Sequence, residues 1–148
     1  MSNIERDPGS EKAIRERVES WQKSLRAKDV DGVMSHYAPG ALSFDLAPPL
    51  THRGGEIRKG LEAWFPTWDG PIGHELRDLA VTATSDLAFA HGLSRLTGKR
   101  TDGERTDVWF RTTICLRKVA GDWSIVHEHT SVPFYMDGSY RAAVDLHP

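Results

Sequence analysis

Residues 106–132 read TDVWFRTTICLRKVAGDWSIVHEHTSV and decide the fold class of this chain. Two runs rich in β-branched and aromatic side chains flank the tripeptide Ala120-Gly121-Asp122, which has the length and composition of a hairpin turn. This pattern predicts two antiparallel strands, at residues 106–118 and 123–132.

Two more strand-like runs precede this hairpin, at residues 72–83 and 87–97. The short polar segments 84–86 and 100–103 separate the runs and favour turns. Together the four runs predict an antiparallel meander. Because long antiparallel strands twist and coil, we expect the sheet to curve around whatever covers its concave face.

The first part of the chain predicts two helices. Apolar residues recur every three or four positions in residues 11–27, as they do on one face of an amphipathic helix. Asp29 is a preferred N-cap residue for a second, short helix, which we expect to end at Pro39-Gly40.

A short strand at residues 41–45 and a third helix at residues 56–68 complete the pattern. Pro66 is expected to distort or end the last turn of that helix, because proline removes a helical hydrogen bond. We therefore predict an α+β domain, in which three N-terminal helices cover the concave face of a curved antiparallel or mixed sheet and leave a pocket.

The length and composition fit a single domain. The chain has 148 residues, 39% of them hydrophobic, and a net charge of −2, which gives no reason to expect a nucleic acid or a membrane as its partner. The single cysteine, Cys115, excludes an internal disulfide, and we expect a cytoplasmic protein. We predict a disordered or arm-like N-terminus at residues 1–10, a domain at 11–132 and a C-terminal tail at 133–148.

Asp45 is the first candidate catalytic residue. It ends the predicted first strand between Phe44 and Leu46, and apolar neighbours would raise its pKa toward that of a usable general base. The alternative is a turn aspartate that accepts backbone hydrogen bonds beside Pro48-Pro49.

His127 and His129 are candidates for proton carriers or hydrogen-bond donors. They lie two positions apart on the last strand, so strict alternation places them on the same face as Trp123 and Ile125. They could instead pack in the core or at an interface. Asp45 or His91 could complete a metal site with them, but the spacing does not require one, and we expect no metal and no cofactor.

Arg111 and several aromatic residues complete the predicted site. Alternation along the predicted strand at residues 106–118 leaves open whether Arg111 faces solvent or a polar cavity, where it would stabilise an enolate or oxyanion. No phosphate-binding loop, dinucleotide fingerprint or nucleophile elbow is present in the sequence. The predicted pocket residues are Trp21, Tyr37, Phe44, Trp64, Trp68, His91 and Trp109.

Three segments resemble the nuclear transport factor 2-like superfamily, specifically its ketosteroid-isomerase-like and SnoaL-like members. They are residues 27–38 (AKDVDGVMSHYA), 55–60 (GEIRKG) and 121–133 (GDWSIVHEHTSVP). The resemblance covers residues 11–132 and implies a cystatin-like cone with an enclosed hydrophobic pocket.

The resemblance to ketosteroid isomerases is incomplete at the site. Asp29, Tyr37 and Asp45 fall on positions that match these enzymes, and Asp45 takes the place of their aspartate base. Trp21 stands at the position of their helix-one tyrosine, and no carboxylate falls near Phe110, where their second acid is expected. Arg111, His127 and His129 could supply the missing donors for a different substrate.

Other members of the superfamily keep two further functions open. Limonene-epoxide-hydrolase-like enzymes activate water with an Asp-Arg-Asp set, of which Asp45 and Arg111 could supply two members. The association domain of calcium/calmodulin-dependent kinase has a similar closing strand and is an assembly module. The resemblance favours an isomerase or cyclase that takes a proton next to a carbonyl of a small hydrophobic molecule, as a homodimer. The alternatives are a non-catalytic binding or oligomerisation module and an epoxide-hydrolase-like enzyme.

Overall fold

The structure is a computed structural model, and it describes residues 5–148. The first four residues of the predicted N-terminal arm lie outside the described residues. Three helices come first: α1 (Pro8–Arg26), α2 (Val30–Met34) and, after two strands, α3 (Gly55–Trp64). The strands are β1 (Tyr37–Phe44), β2 (His52–Arg53), β3 (Trp68–Ala83), β4 (Leu87–Arg100), β5 (Arg105–Val119) and β6 (Asp122–Ser131).

The helices begin where the sequence supplies caps. Asp7 accepts the backbone N–H groups of Gly9 and Ser10, and Pro8 follows it, so α1 starts three residues before the predicted Glu11. Asp29 caps α2 as expected, by accepting the N–H of Gly32.

The six strands form one curved mixed sheet in the order β2-β1-β6-β5-β4-β3. Strands β3 to β6 are the predicted antiparallel meander, and β1 joins it in parallel alongside β6. The predicted α+β class, with a mixed sheet and N-terminal helices, is therefore confirmed.

Two element ends differ from the sequence prediction. The second helix ends at Met34, and Pro39-Gly40 lie inside β1, where the pairing with β6 shifts register between Tyr37 and Leu42. The third helix ends at Trp64. Pro66 then lies in a single 3-10 turn, and Trp68, predicted to be helical, is the first residue of β3. Both errors occur beside a proline in an irregular segment, which periodicity alone does not resolve.

The core consists of two clusters under the helices. In the first, Ile14 and Val18 of α1 pack on Ile114, Leu116 and other residues of the sheet. In the second, Leu25 and Val33 pack against residues from the 3-10 turn and the far half of the sheet. Three short helices fill the concave face only at these two places, and a cavity remains between them and the sheet.

Candidate functional site

The cavity has a volume of about 410 Å³, within the range typical of small-molecule sites. Its wall is mostly apolar and combines residues of all three helices with the inward-facing residues of β4 and β5. Four of the predicted pocket residues line it: Trp21, Tyr37, Trp64 and Trp68.

The carboxylate of Glu128 is the central polar group of the cavity wall. It accepts a hydrogen bond from the Tyr37 hydroxyl at 2.7 Å and another from the Ser43 hydroxyl at 3.0 Å. The indole N–H of Trp21 in turn donates to the Tyr37 oxygen at 3.2 Å. These three side chains fix the position of the carboxylate in a wall that is mostly apolar.

The cavity environment changes the acidity of this group. Loss of hydration raises the pKa of Glu128 above its ordinary value, although the hydrogen bonds from Tyr37 and Ser43 oppose that rise. The negative charge of Asp45 raises it further. The pKa of Tyr37 is also raised well above its usual value, mainly by burial and then by the charge of Glu128.

A β-bulge explains why Glu128 faces the cavity. Cys115 of β5 pairs with His127 of β6, but the next residue, Leu116, pairs with Ile125. Val126 is therefore an extra residue in β6, and alternation is broken there. The concave side is therefore faced by two residues before the bulge, Trp123 and Ile125, and by two residues after it, Glu128 and Thr130.

Asp45 lies at the mouth of the cavity. Its carboxylate accepts the backbone N–H of Leu46 at 2.7 Å and the hydroxyl of Thr130 at 3.3 Å. The residue is exposed to solvent, so the desolvation that the sequence predicted for this carboxylate is found at Glu128 instead.

The bulge sends His127 and His129 to the outer, convex face of the sheet. The Phe44 ring lies between their rings, at 4.7 Å from His127 and 5.3 Å from His129, and Nδ1 of His127 is 2.7 Å from the carbonyl oxygen of Leu42. The expected shared face with Trp123 is therefore not observed, because strict alternation does not hold across Val126.

The other predicted site residues also lie on the outer face. Arg111 is exposed and donates to the Ser131 hydroxyl at 3.1 Å, and His91 pairs with Thr113 on the same face. The guanidinium groups of Arg77 and Arg95 lie 6.0 Å and 5.6 Å from the centroid of the Trp109 ring. The structure thus places Arg111, His127 and His129 outside the cavity, although His129 borders a separate surface hollow together with Asp45.

The sequence interpretation missed Glu128 and His74, two titratable residues of the wall. His74 lies on β3, and burial with the nearby charge of Arg26 lowers its pKa to about 4. The only sequence signal for His74 is that it alternates with Ile72 on a strand. Glu128 has none, because alternation assigned it to the wrong face.

Neither a metal group nor a membrane-spanning helix is found in the described residues. Among residues 5–148, no three side chains of His, Cys, Asp or Glu are grouped so that they could hold a metal ion. Over the same residues, none of the helices has both the length and the apolar character needed to cross a bilayer.

Comparisons with known proteins identify relatives of this chain. The family of SnoaL-like domains matches residues 14–135. A nuclear transport factor 2-like protein of unknown function from Pseudomonas putida KT2440 is 32% identical, with a TM-score of 0.88 over 97% of this chain and 100% of its own. No curated protein matches the sequence.

Two more distant structures share the fold. A ketosteroid isomerase-like protein from Erwinia carotovora atroseptica is 19% identical, with a TM-score of 0.72 over 84% of this chain and 97% of its own. A protein from Streptomyces avermitilis, described as a candidate dehydratase of the nuclear transport factor 2-like family, is 14% identical, with a TM-score of 0.74 over 84% and 97%.

Proposed function

Since the chain belongs to the SnoaL-like domain family, we propose that it is an acid–base enzyme that moves a proton next to a carbonyl group of a small, mostly apolar molecule. Membership of this family confirms the resemblance to SnoaL-like proteins that we inferred from the sequence. The proposal keeps the predicted reaction type and transfers the role of base from Asp45 to Glu128.

The observation that carries this proposal is the position of the Glu128 carboxylate. It lies on the wall of an apolar cavity, held by two hydroxyl donors, with a pKa raised by desolvation. A carboxylate with these properties is a stronger base than one in water and is already oriented toward a bound molecule. Each carboxylate oxygen has a second lone pair, so the bonds from Tyr37 and Ser43 leave room for a proton from the substrate.

The proposed step balances without any added reagent. Glu128 takes a proton from the carbon next to the carbonyl, the C–H electrons form a carbon–carbon double bond, and the carbonyl π electrons move to oxygen as an enolate. If the substrate also has a double bond between its β- and γ-carbons, return of the proton to the γ-carbon gives the conjugated isomer. If a hydroxyl stands on the β-carbon, its departure with the proton as water gives an unsaturated carbonyl.

Asp45 complements Glu128 in this proposal. Its carboxylate is at the mouth and is solvated, whereas Glu128 is enclosed, so the two acids differ in environment while the charge of one raises the pKa of the other. We propose that Asp45 keeps Glu128 basic and exchanges protons between the cavity and water.

The related structures are compatible with this chemistry. The names of two neighbours refer to a ketosteroid isomerase-like protein and to a dehydratase. Both reaction types can begin with removal of a proton next to a carbonyl. At 19% and 14% identity these neighbours support the fold alone, and the reaction proposed here depends on Glu128.

A non-catalytic binding module of the same fold is the second candidate. The observation that favours it is that both oxygens of Glu128 already have a donor, as in a purely structural network. In that case Glu128 would hold Tyr37 and Ser43 in place and would not exchange protons with a ligand.

The experiment uses 5-nitrobenzisoxazole, a flat probe whose five-membered ring opens when a base removes the C–H proton of that ring. The electrons form a nitrile, the N–O bond breaks, and a coloured phenolate is released. We expect the protein to accelerate this reaction, with a rate that rises with pH around a midpoint above 4.5, the ordinary pKa of the glutamate.

Replacement of the base should remove most of this acceleration. We expect Glu128→Gln to lower the rate by about 10²-fold or more while the melting temperature changes little. The matched control is Glu75→Gln, an exposed carboxylate on the outer face, which should leave the rate unchanged. Equal rates for the wild type and Glu128→Gln would exclude the catalytic proposal and favour the binding module.

The predicted homodimer is a separate proposal. Leu87 and Phe89 expose about half of their surface on the outer face of β4, at 50% and 46%. Large exposed apolar side chains on one face are typical of an interface. We propose that a second copy of the chain covers this part of the sheet.

A further inference from the structure

A second polar group lies on the cavity wall, on the β3 side and away from Glu128. The imidazole of His74 lines the cavity, and only 5% of the residue is accessible. The Trp21 ring meets the His74 ring edge-on, with 5.3 Å between the two centroids. The mechanism proposed above makes no use of this histidine.

One ring nitrogen of His74 is held by a buried amide. Nε2 of Gln22 lies 3.1 Å from Nδ1 of His74. An amide nitrogen has only hydrogens to offer, so Nδ1 accepts this bond and the ring proton is on Nε2. Gln22 is buried on the inner face of α1 between Val18 and Leu25, where an unbonded amide would be costly. Its presence in this apolar row is explained by its bond to His74.

The other ring nitrogen faces open space. Among residues 5–148, Nε2 of His74 has no hydrogen-bond partner. Two other side-chain nitrogens without a partner, Nδ1 of His52 and Nε1 of Trp68, are fully buried, whereas Nε2 of His74 is not. Because the ring lines the cavity, the space next to Nε2 is the cavity itself. The N–H group is therefore a free donor in an apolar wall.

The surroundings keep this donor uncharged. Burial is the main cause of the lowered pKa, about 4, and the charge of Arg26 adds to it. The Arg26 guanidinium donates to the backbone oxygen of His74 through Nε at 3.1 Å and Nη2 at 2.7 Å. A neutral N–H donor suits a neutral oxygen acceptor better than a carboxylate, which would remain partly unneutralised in the cavity.

Neighbouring residues of α1 connect the two polar groups. Trp21 donates to Tyr37, which donates to Glu128, and the next residue, Gln22, donates to His74. One turn of one helix therefore fixes both the carboxylate and the imidazole. The same helix therefore holds the Glu128 carboxylate and the His74 imidazole in fixed positions, so that both can contact one ligand.

We propose that His74 is a specificity-determining residue, which donates its Nε2 proton to a neutral oxygen of the ligand. The substrate class that follows is an apolar carbonyl compound with a second neutral oxygen on the side away from the carbon that Glu128 deprotonates. This inference rests on the proposed function, since it takes Glu128 as the reacting end.

The test compares two probes that differ in one atom's capacity to accept a hydrogen bond. 6-Methoxy-2-naphthol has an ether oxygen that can only accept, and 6-ethyl-2-naphthol has a methylene of similar size in its place. We expect the wild-type protein to bind the methoxy probe about five- to tenfold more tightly, as one hydrogen bond provides. Titration followed by naphthol fluorescence gives both dissociation constants.

His74→Phe keeps a ring in the wall without a donor, and we expect it to bind the two probes equally. The double variant Gln22→Leu/His74→Phe removes the orphaned amide as well, and it should behave in the same way if the single variant folds poorly. His147→Phe in the exposed tail is the control and should keep the preference for the methoxy probe.

A spectroscopic readout tests the assignment without any ligand. In a ¹⁵N–¹H correlation spectrum of the imidazole rings, His74 should be neutral, with its proton on Nε2. A proton on Nδ1, equal affinity of the wild type for both probes, or binding of neither probe would overturn the inference.

The two proposals can fail separately. Glu128→Gln removes the proposed base but not the donor, so it should keep the methoxy preference while losing reaction with 5-nitrobenzisoxazole. If Glu128→Gln loses the reaction but the wild type binds both naphthols equally, the proposed function is retained and the role of His74 is overturned.

Discussion

On β6, the carboxylate of Glu128 and the imidazoles of His127 and His129 are neighbours in sequence but face opposite sides of the sheet. On the concave side Glu128 is enclosed, hydrogen-bonded to Tyr37 and Ser43, and has a raised pKa. On the convex side the two histidines flank Phe44 near the surface. All three side chains are candidates for acid–base chemistry. Only the face of the sheet on which each one lies determines which of them can contact a ligand in a desolvated cavity.

The largest expected effect comes from removing the bulge that separates the two faces. Deletion of Val126 restores strict alternation, so either Trp123 and Ile125 or Glu128 and Thr130 must turn outward. Because Trp123 and Ile125 are core residues, we expect a loss of at least about 4 kcal/mol in the free energy of unfolding. Urea denaturation measures it.

The matched control is Val126→Ala, which keeps the extra residue and shortens a half-buried side chain. It should cost much less than the deletion. A deletion variant as stable as Val126→Ala would mean that the bulge does not hold the two faces apart.

The next effect concerns the acid stability of the concave side. His74 has a pKa of about 4 in the folded protein and 6.5 ordinarily, so between these values the unfolded chain takes up a proton that the folded protein does not. The free energy of unfolding should therefore fall as the pH falls from 6.5 to 4, by up to about 3 kcal/mol from this residue.

His74→Gln should make the pH dependence of stability shallower over that interval. Denaturant midpoints measured at several pH values between 4 and 7 provide the comparison. The exposed His147→Gln is the control and should retain the wild-type slope. An unchanged slope in His74→Gln would indicate that His74 is already protonated in the folded protein.

The smallest effect on the fold is expected on the convex side. Phe89→Lys introduces a charge at a half-exposed position, and its effect on stability should stay within about 0.5 kcal/mol. If two copies pair through this face, the variant should have the mass of one chain in light scattering, where the wild type has that of two. Turnover of 5-nitrobenzisoxazole should remain, because the cavity is on the other side. A monomeric wild type would contradict the homodimer proposal.

The sequence predicted the architecture well because its signals are local. Alternating apolar residues and short turns located β3 to β6, and the cap at Asp29 located α2. The helix ends near Pro39 and Pro66 were less accurate, since the chain leaves regular structure there through contacts with other elements. The aromatic pocket residues of α1 and α3 were found because a helix that covers a sheet turns its apolar side inward.

The candidate site was only partly accessible to the same reasoning. Asp45 and Tyr37 were identified, and both line the cavity. Strict alternation put His127 on the same face as Trp123 and Ile125, and therefore Glu128 on the opposite face. The one-residue bulge at Val126 reverses every assignment that follows it. Gln22 and His74 are 52 positions apart, so nothing local indicates that they share a hydrogen bond.

By itself, the sequence determined a mixed α+β domain of a known family, with three helices on one side of a long meander. Those features follow from short-range periodicity and capping, which depend only on residues that are close together in the sequence. Only the tertiary structure decided which acid is desolvated, which histidine faces the cavity and which face of the sheet is left uncovered. Burial and hydrogen-bond partners are properties of the packed molecule, since they depend on residues that the chain brings together from distant positions.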